Sequence, residues 1–421
     1  MEMTMPVRTL IGALACQKDS YLKQLTTVVV SCSPLKEEAP KKAGKKLSVT
    51  DSKEKRSLYE IELEDTILFP EGGGQPSDLG LIKVEDTKVR VLDVQRKGLY
   101  AVHITEEPIE SGTSVSLEVD WKRRLDHMQQ HTGQHLLSAI LDKYDLPTLS
   151  WNMGEMVNYI EVPRKITPEE IVEVTEKVNH EIFNNTPINV DTPKSESEGV
   201  NSEKGVMRVV KIGDIDNNPC CGTHLAQVGQ VKMVVILGQM NGKNGTSKLN
   251  FLCGDRVYKY TSQLYDINKR LMNIFSSNME ELPEKAEMVI KEGKKSRARE
   301  RNLSKEIAIQ FANRIIEAFQ DKQSPKSVHY VYREEGDLEF INKINAELKI
   351  ILSEHPDKSI VLISGDGAII VVGPAMDSIV QELRKRLPTL RGGGKNGRFQ
   401  GKVASYKEHE MQAVIEYLKE L

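Results

Sequence analysis

Two segments far apart in the chain carry the same spacing of metal-binding residue types. His131-Thr-Gly-Gln-His135 holds two histidines four positions apart, and Cys220-Cys-Gly-Thr-His224 repeats the spacing with a cysteine and a histidine. On a helix, residues so spaced stand on one face about a turn apart, so both imidazoles of the first pair can reach one ion. The second pair offers two further ligands, and a chain that uses all four must fold so that the segments meet. Imidazole nitrogen with one thiolate suits zinc. Either pair alone is common by chance, but together they take three of nine histidines and one of five cysteines. Cys221 is an alternative to Cys220, although only Cys220 has the four-residue spacing to His224. Thr132 stands where an HExxH protease has its glutamate. Four protein ligands close a tetrahedral site, so catalysis there requires one ligand to yield or the coordination to expand.

Around these pairs the pattern reads as α+β. Residues 25–32 form a β-branched strand, followed by a lysine-rich solvated loop at 34–46. Short alternating runs separated by turn residues fill 58–121, a β-rich half-domain. A helix is predicted over 126–144, with Leu136, Leu137, Ile140 and Leu141 on one stripe and the histidines nearly opposite. Thr167-Pro168-Glu169-Glu170 opens a second helix as a capping box, running to about residue 184. Strands are predicted at 206–212, 231–237 and 248–253. From 257 to 323 the chain is helical and highly charged. Leu303, Ile307, Phe311 and Ile315 repeat every four residues, and the stripe can pack within the chain or against a second copy, a possible homo-oligomer. The last hundred residues alternate strands (VHYVYR, SIVLIS, AIIVVG) with helices at 337–353, 378–386 and 406–421, a small α/β domain. Four regions result: a β-rich N-terminal domain (1–122), a zinc-binding α+β domain (123–256), a helical linker (257–325) and a C-terminal α/β domain (326–421).

Charge narrows the partners. With 58 lysines and arginines against 61 acidic residues, the net charge is −3, so any RNA contact has to be local. No apolar run approaches a membrane span, and residues 4–18 lack the pattern of a signal peptide. Neither a membrane nor a DNA partner is expected. Five sparse cysteines read as reduced thiols of a cytoplasmic protein.

A glycine-rich segment, Pro70-Glu-Gly-Gly-Gly-Gln-Pro-Ser-Asp78, follows a predicted strand. It matches neither a phosphate-binding P-loop nor a dinucleotide fingerprint. Glycines alone would suit a tight hairpin turn, and Gln75 and Asp78 beside them favour a substrate pocket.

TILFPEGGGQPSDLG, DWKRRLDHMQQHTGQHLLSA and NPCCGTH, in that order, resemble the free-standing alanyl-tRNA editing proteins called AlaX, themselves similar to the editing domain of alanyl-tRNA synthetase. RGGGKNGRFQGK at 391–402 is similar to the glycine-rich signature of the synthetase's C-terminal domain, as in the longest AlaX type. The resemblance implies that His131, His135, Cys220 and His224 hold zinc and that Gln75 lies in the editing pocket. Thr66 would stand beside that pocket and recognise a serine hydroxyl. The implied activity is hydrolysis of the ester joining serine, or glycine, to alanine tRNA. RNA contacts are expected from 291–305, from 384–386 and, with preference, from Arg391, Lys395, Arg398 and Lys402 on a glycine-rich basic loop. No part is similar to an aminoacylation domain, so charging tRNA is not expected. Two alternatives remain: a zinc-stabilised RNA-binding protein without hydrolase activity, and editing of another tRNA such as threonine tRNA.

Overall fold

The computed structural model describes residues 8–35, 57–193, 200–201, 203, 205–321 and 326–421. Most of the lysine-rich segment predicted as a solvated loop falls outside these residues. The chain is α+β and divides into two compact units, Met1–Asn268 and Lys269–Leu421.

The first unit opens with a single-turn helix α1 (Ala15–Lys18), then β1 (Gln24–Pro34), β2 (Tyr59–Leu63), β3 (Gly80–Val84), β4 (Thr87–Lys97), β5 (Tyr100–Thr105) and β6 (Ser114–Val119). These strands close into a barrel in the order β1-β2-β5-β4-β3-β6. The alternation in the sequence explains the closure. In β6, Val115, Leu117 and Val119 turn inward to join Val29, Ile61 and Ile82, while the intervening residues face out. Closure leaves no unpaired edge among these short strands. Leu14, Ala15 and Cys16 belong to the same core, and burial pushes the Cys16 thiol up to about 12.

Helix α2 (Trp121–Asp142) leaves the barrel. It starts before the predicted residue 126, because its first turn is held by polar contacts that leave no apolar stripe to read. Asp120 caps it by accepting from the Arg123 N–H at 3.2 Å, and Arg124 is fully buried against Asp78, with Nε 2.9 Å from Oδ2. Then come β7 (Ser150–Asn152), β8 (Asn158–Val162), α3 (Pro168–Asn184), β9 (Ile188–Asp191), β10 (Val200–Asn201), β11 (Gly205–Val206), β12 (Val209–Ile212), β13 (Asp216–Pro219), β14 (Val234–Asn241) and β15 (Ser247–Cys253). Helix α3 opens with the predicted Thr167–Glu170 capping box. A sheet β14-β15-β8-β7 contributes to a core with α2 and α3, and Leu136, Leu137 and Ile140 pack there with Val174, Phe251 and Leu249. The strand predicted over 206–212 is interrupted at Met207-Arg208, where the Arg208 side chain turns inward. The one predicted from 231 begins at Val234, after a short 3-10 turn over Val228–Val231.

Helix α4 (Asp255–Phe275) runs across the boundary between the units. The second unit contains α5 (Leu282–Gln320), β16 (Val328–Arg333), α6 (Leu338–Glu347), α7 (Lys349–Glu354), β17 (Ser359–Ser364), β18 (Ala368–Val372), α8 (Met376–Arg386), β19 (Leu390–Lys395), β20 (Arg398–Val403) and α9 (Glu408–Glu420). Its sheet runs β16-β17-β18-β20-β19, with β16 and β17 parallel. Both faces are covered, so SIVLIS and AIIVV read as continuous apolar runs. Val361 and Ile363 meet α8 and α9, while Ile360 and Leu362 meet α5 and α6. On α5 the buried row is Ala308, Ala312, Ile315 and Phe319; Leu303, placed on the stripe by its spacing, is 47% exposed. That row packs within the chain, against Phe340, Ile341 and Ile344 of α6 and Ile360 and Leu362 of the sheet.

Candidate metal centre

The two spaced pairs meet. His131 and His135 stand a turn apart on α2, and Cys220 and His224 follow β13. Their ligand atoms all lie within 4.8 Å of one another, so the group could hold a metal ion. Cys220 Sγ is 3.4 Å from His131 Nε2 and 3.2 Å from His224 Nε2.

Each imidazole is fixed through its other nitrogen. His131 Nδ1 lies 2.9 Å from Gln75 Oε1, His135 Nδ1 lies 2.7 Å from Asp216 Oδ2, and His224 Nδ1 lies 3.4 Å from the Thr132 hydroxyl. Anchoring Nδ1 sets the tautomer and leaves Nε2 free to ligate. Burial opposes charge on His135, but Asp216 and Cys220 outweigh it and push its pKa up to about 9. Burial holds His224 down at about 3, ready as a neutral ligand. Burial would raise the Cys220 thiol, yet His131 and His224 beside it hold it well below a thiol's ordinary value. Cys221, by contrast, is pushed up by burial and by Cys220. Ligation would displace the proton that His135 carries, and a thiolate among three imidazoles is a donor set that suits a borderline-soft cation.

The glycines make this convergence possible. A side chain at Gly222 would put its Cβ 2.2 Å from His131 Cε1, so only glycine lets the CCGTH segment lie against that ring. Gly74, at φ +82°, passes where a Cβ would stand 2.7 Å from Trp151, whose ring is 4.9 Å from that of His131.

Gln75 is fully buried behind the cluster. Its Oε1 accepts from Thr223 N–H at 3.0 Å and faces His131, and its amide donates to the Thr223 hydroxyl at 2.8 Å. It therefore positions a histidine. Thr66 is buried in the barrel unit with its hydroxyl 2.9 Å from His103 Nε2. His103 Nδ1 faces the Ile61 carbonyl at 3.1 Å and so carries the proton. Burial pushes His103 down to about 4, leaving Nε2 bare to accept from Thr66. The Thr66 oxygen also accepts from Leu68 N–H at 3.0 Å, which leaves it one lone pair. Asp78, read from the sequence as favouring a pocket, is instead the buried partner of Arg124.

Several residues escaped the sequence reading. Asp216 stands four positions before Cys220, the same spacing again, and that repetition was the available signal. Arg208 donates to the carbonyls of Gln17 (2.8 Å) and Gly222 (2.9 Å), and Gln17 donates to the Cys221 carbonyl at 2.7 Å, which ties the CCGTH segment to α1. His127 begins the histidine row one turn before His131. It is 3% exposed, and its Nδ1 has no partner among the described residues. Burial, with Arg123 and Arg256 nearby, pushes it down to about 3.

Arg391, Lys395, Arg398 and Lys402 do not lie on a loop. They lie on the paired strands β19 and β20, joined by Asn396-Gly397, both at positive φ. An Asn-Gly pair with this backbone is a strong hairpin signal. All four basic residues are exposed. At 384–386, Glu382 takes both Lys385 and Arg386.

A family model described as the second additional domain of threonyl and alanyl tRNA synthetases matches residues 207–249, the stretch that supplies Asp216, Cys220 and His224. One described as class II (A) tRNA synthetases matches residues 31–123, which narrows the expectation that nothing here is similar to a synthetase's charging half; among the described residues, that stretch supplies the end of β1 and strands β2 to β6 of the barrel. The Aarsd1 alanyl-tRNA editing protein of Mus musculus is 35% identical over 96% of this chain and 97% of its own. This chain belongs to the alanyl-tRNA editing proteins. Within that family, Aarsd1-B of Xenopus laevis is 36% identical over 93% of this chain and 94% of its own. The alanine–tRNA ligase of Pyrococcus abyssi is 29% identical over 85% of this editing-family chain but only 41% of the ligase.

Proposed function

We propose that this alanyl-tRNA editing protein removes serine, with glycine as a second cargo, from wrongly charged alanine tRNA by hydrolysing the aminoacyl ester. The observation that carries the reading is the convergence of His131, His135, Cys220 and His224 with every histidine anchored through Nδ1. These four would hold zinc, which when bound lowers the pKa of water or polarises a carbonyl. Asp216 and Gln75 keep the imidazoles aimed, and Trp151 with the Gly73-Gly74 turn walls one side. The ester is already activated, so modest assistance suffices.

Selectivity follows from hydrogen bonding. A pocket that pairs polar groups with the serine hydroxyl leaves them unpaired when alanine enters, which disfavours the correct ester. The remaining lone pair of Thr66 is our candidate for that contact. The free cysteines fit a reducing, cytoplasmic setting, and among the described residues no helix is long and apolar enough to cross a membrane. The RNA body would be held by Arg391, Lys395, Arg398 and Lys402.

The test is release of serine from charged alanine tRNA, with alanine-charged and threonine tRNA as controls. Serine release with alanine retained supports the reading. No release by folded, zinc-loaded protein favours the RNA-binding alternative, consistent with a closed four-ligand site. Thr66→Val should narrow the serine–alanine ratio, and an unchanged ratio reduces Thr66 to a barrel post for His103 and Leu68.

A further inference from the structure

A groove of about 720 Å³ in the first unit touches the same three elements that wall the metal cluster. Pro76 follows Gln75, Asn152 follows Trp151, and His127 precedes His131 by one turn of α2, about 6 Å along the axis. These three groove residues are thus the immediate continuation of residues that touch His131 or of the histidine row itself.

Its lining combines two chemistries. Lys122, Arg123 and Lys259 contribute positive charge, and neither lysine makes an ion pair among the described residues. Of the acidic lining residues, Asp126 is taken by Arg256 at 2.7 Å and Asp120 caps α2, while Glu155 is exposed. Met153, Met156 and Pro76 supply apolar surface. Into this setting His127, nearly wholly buried, brings a ring nitrogen without a partner. A buried polar atom left unpaired calls for an absent partner.

We infer that this groove seats the single-stranded 3′ end of the RNA, the nucleotides next to the aminoacyl ester, with the lysines on phosphate, the apolar wall against a base and His127 hydrogen-bonded to the terminal nucleotide. The inference rests on the function proposed above. Positive charge beside apolar surface is how single strands are held without a duplex to read. It also orients the ester, because a strand lying in the groove runs along α2 toward His131.

The test uses the full zinc-loaded chain and a 5′-labelled ribotrinucleotide of the tRNA 3′-terminal sequence, with binding read by fluorescence anisotropy across a salt series. Lys122→Ala with Lys259→Ala should weaken binding several-fold and reduce the salt slope by about 0.7 for each phosphate left without its lysine. His127→Phe should weaken it about tenfold, while His127→Asn, which keeps a hydrogen-bonding atom near Nδ1, should retain most of it. Zinc content reports folding of each variant. If His127→Phe fails to fold, the lysine pair decides, with Lys122 exposed and Lys259 half-buried. Equal affinity in parent and lysine variant overturns the inference. So does a parent that releases serine from charged tRNA yet does not bind the trinucleotide, which leaves the hydrolase reading standing. A parent that binds through these residues but leaves the ester intact upholds the groove and removes the hydrolase reading.

Discussion

The chain contains two triple-glycine segments, and they fold into opposites. Gly72-Gly73-Gly74 leads into Gln75, whose amide is fully buried against His131. Gly73 and Gly74 adopt φ of +61° and +82° and pass close beneath Cys221 and Trp151. Gly392-Gly393-Gly394 leads into exposed Lys395 and lies in an extended strand paired with β20. A side chain at Gly393 would meet nothing within 4 Å. The residue after the glycines separates the two cases. A buried amide fixes the first turn inside a network, while a cation leaves the second at the surface. Substitutions in the first region should therefore spread, and one at Gly393 should stay local.

The largest effect is expected behind the first network. Asp216→Asn keeps the shape but removes the charge that holds His135. Loss of such a partner typically weakens metal binding about 10- to 100-fold. Competition with a chromophoric chelator measures this directly. Unchanged zinc affinity would mean that the histidine geometry is set by packing alone, and the contrast between a coupled and an uncoupled region would fail.

Next is a matched pair, Gly74→Ala and Gly393→Ala. Alanine at Gly74 adopts a left-handed backbone at about 1–3 kcal/mol and also meets Trp151. Alanine at Gly393 should change stability by no more than about 0.5 kcal/mol. Both tryptophans, Trp121 and Trp151, lie in the first unit, so tryptophan fluorescence reports the melting of that unit alone. Circular dichroism follows the Gly393 variant. Equal losses would show that the two segments are constrained alike.

The same contrast governs how much the sequence revealed. The candidate cluster was legible because the spacing within each pair is local, and the α3 start was legible because a capping box is a four-residue pattern. The barrel was legible as alternating strands but not as a closed ring, since closure depends on pairing β1 with β6 across the whole domain. Asp216, Arg208 and Gln17 escaped because their partners come from other segments. Gln75 was visible as a residue but not as a support, for its neighbour Thr223 arrives only on folding. The hairpin at 391–402 was misread as a loop. Three glycines outweighed Asn396-Gly397, the dipeptide that sets the turn.

The smallest effect per residue is expected on that hairpin, and it tests what the exposed glycines serve. In register, Arg391 faces Lys402 and Lys395 faces Arg398, so like charges stand directly opposite on one face. Such pairs destabilise a ribbon unless an anion lies across them. Asp366 reaches only Lys402, at 3.3 Å. Replacing Lys395 and Arg398 with alanine should therefore leave the hairpin as stable as before or slightly more so. It should weaken binding of alanine tRNA, lowering the slope of log affinity against log salt by about 0.7–0.9 for each phosphate left without its cation. Zinc content should not change, because the four candidate ligands lie in the other unit. A slope that stays the same while stability rises would leave the facing cations without an RNA partner, and the second glycine segment would then be a strand whose charges serve something other than the tRNA.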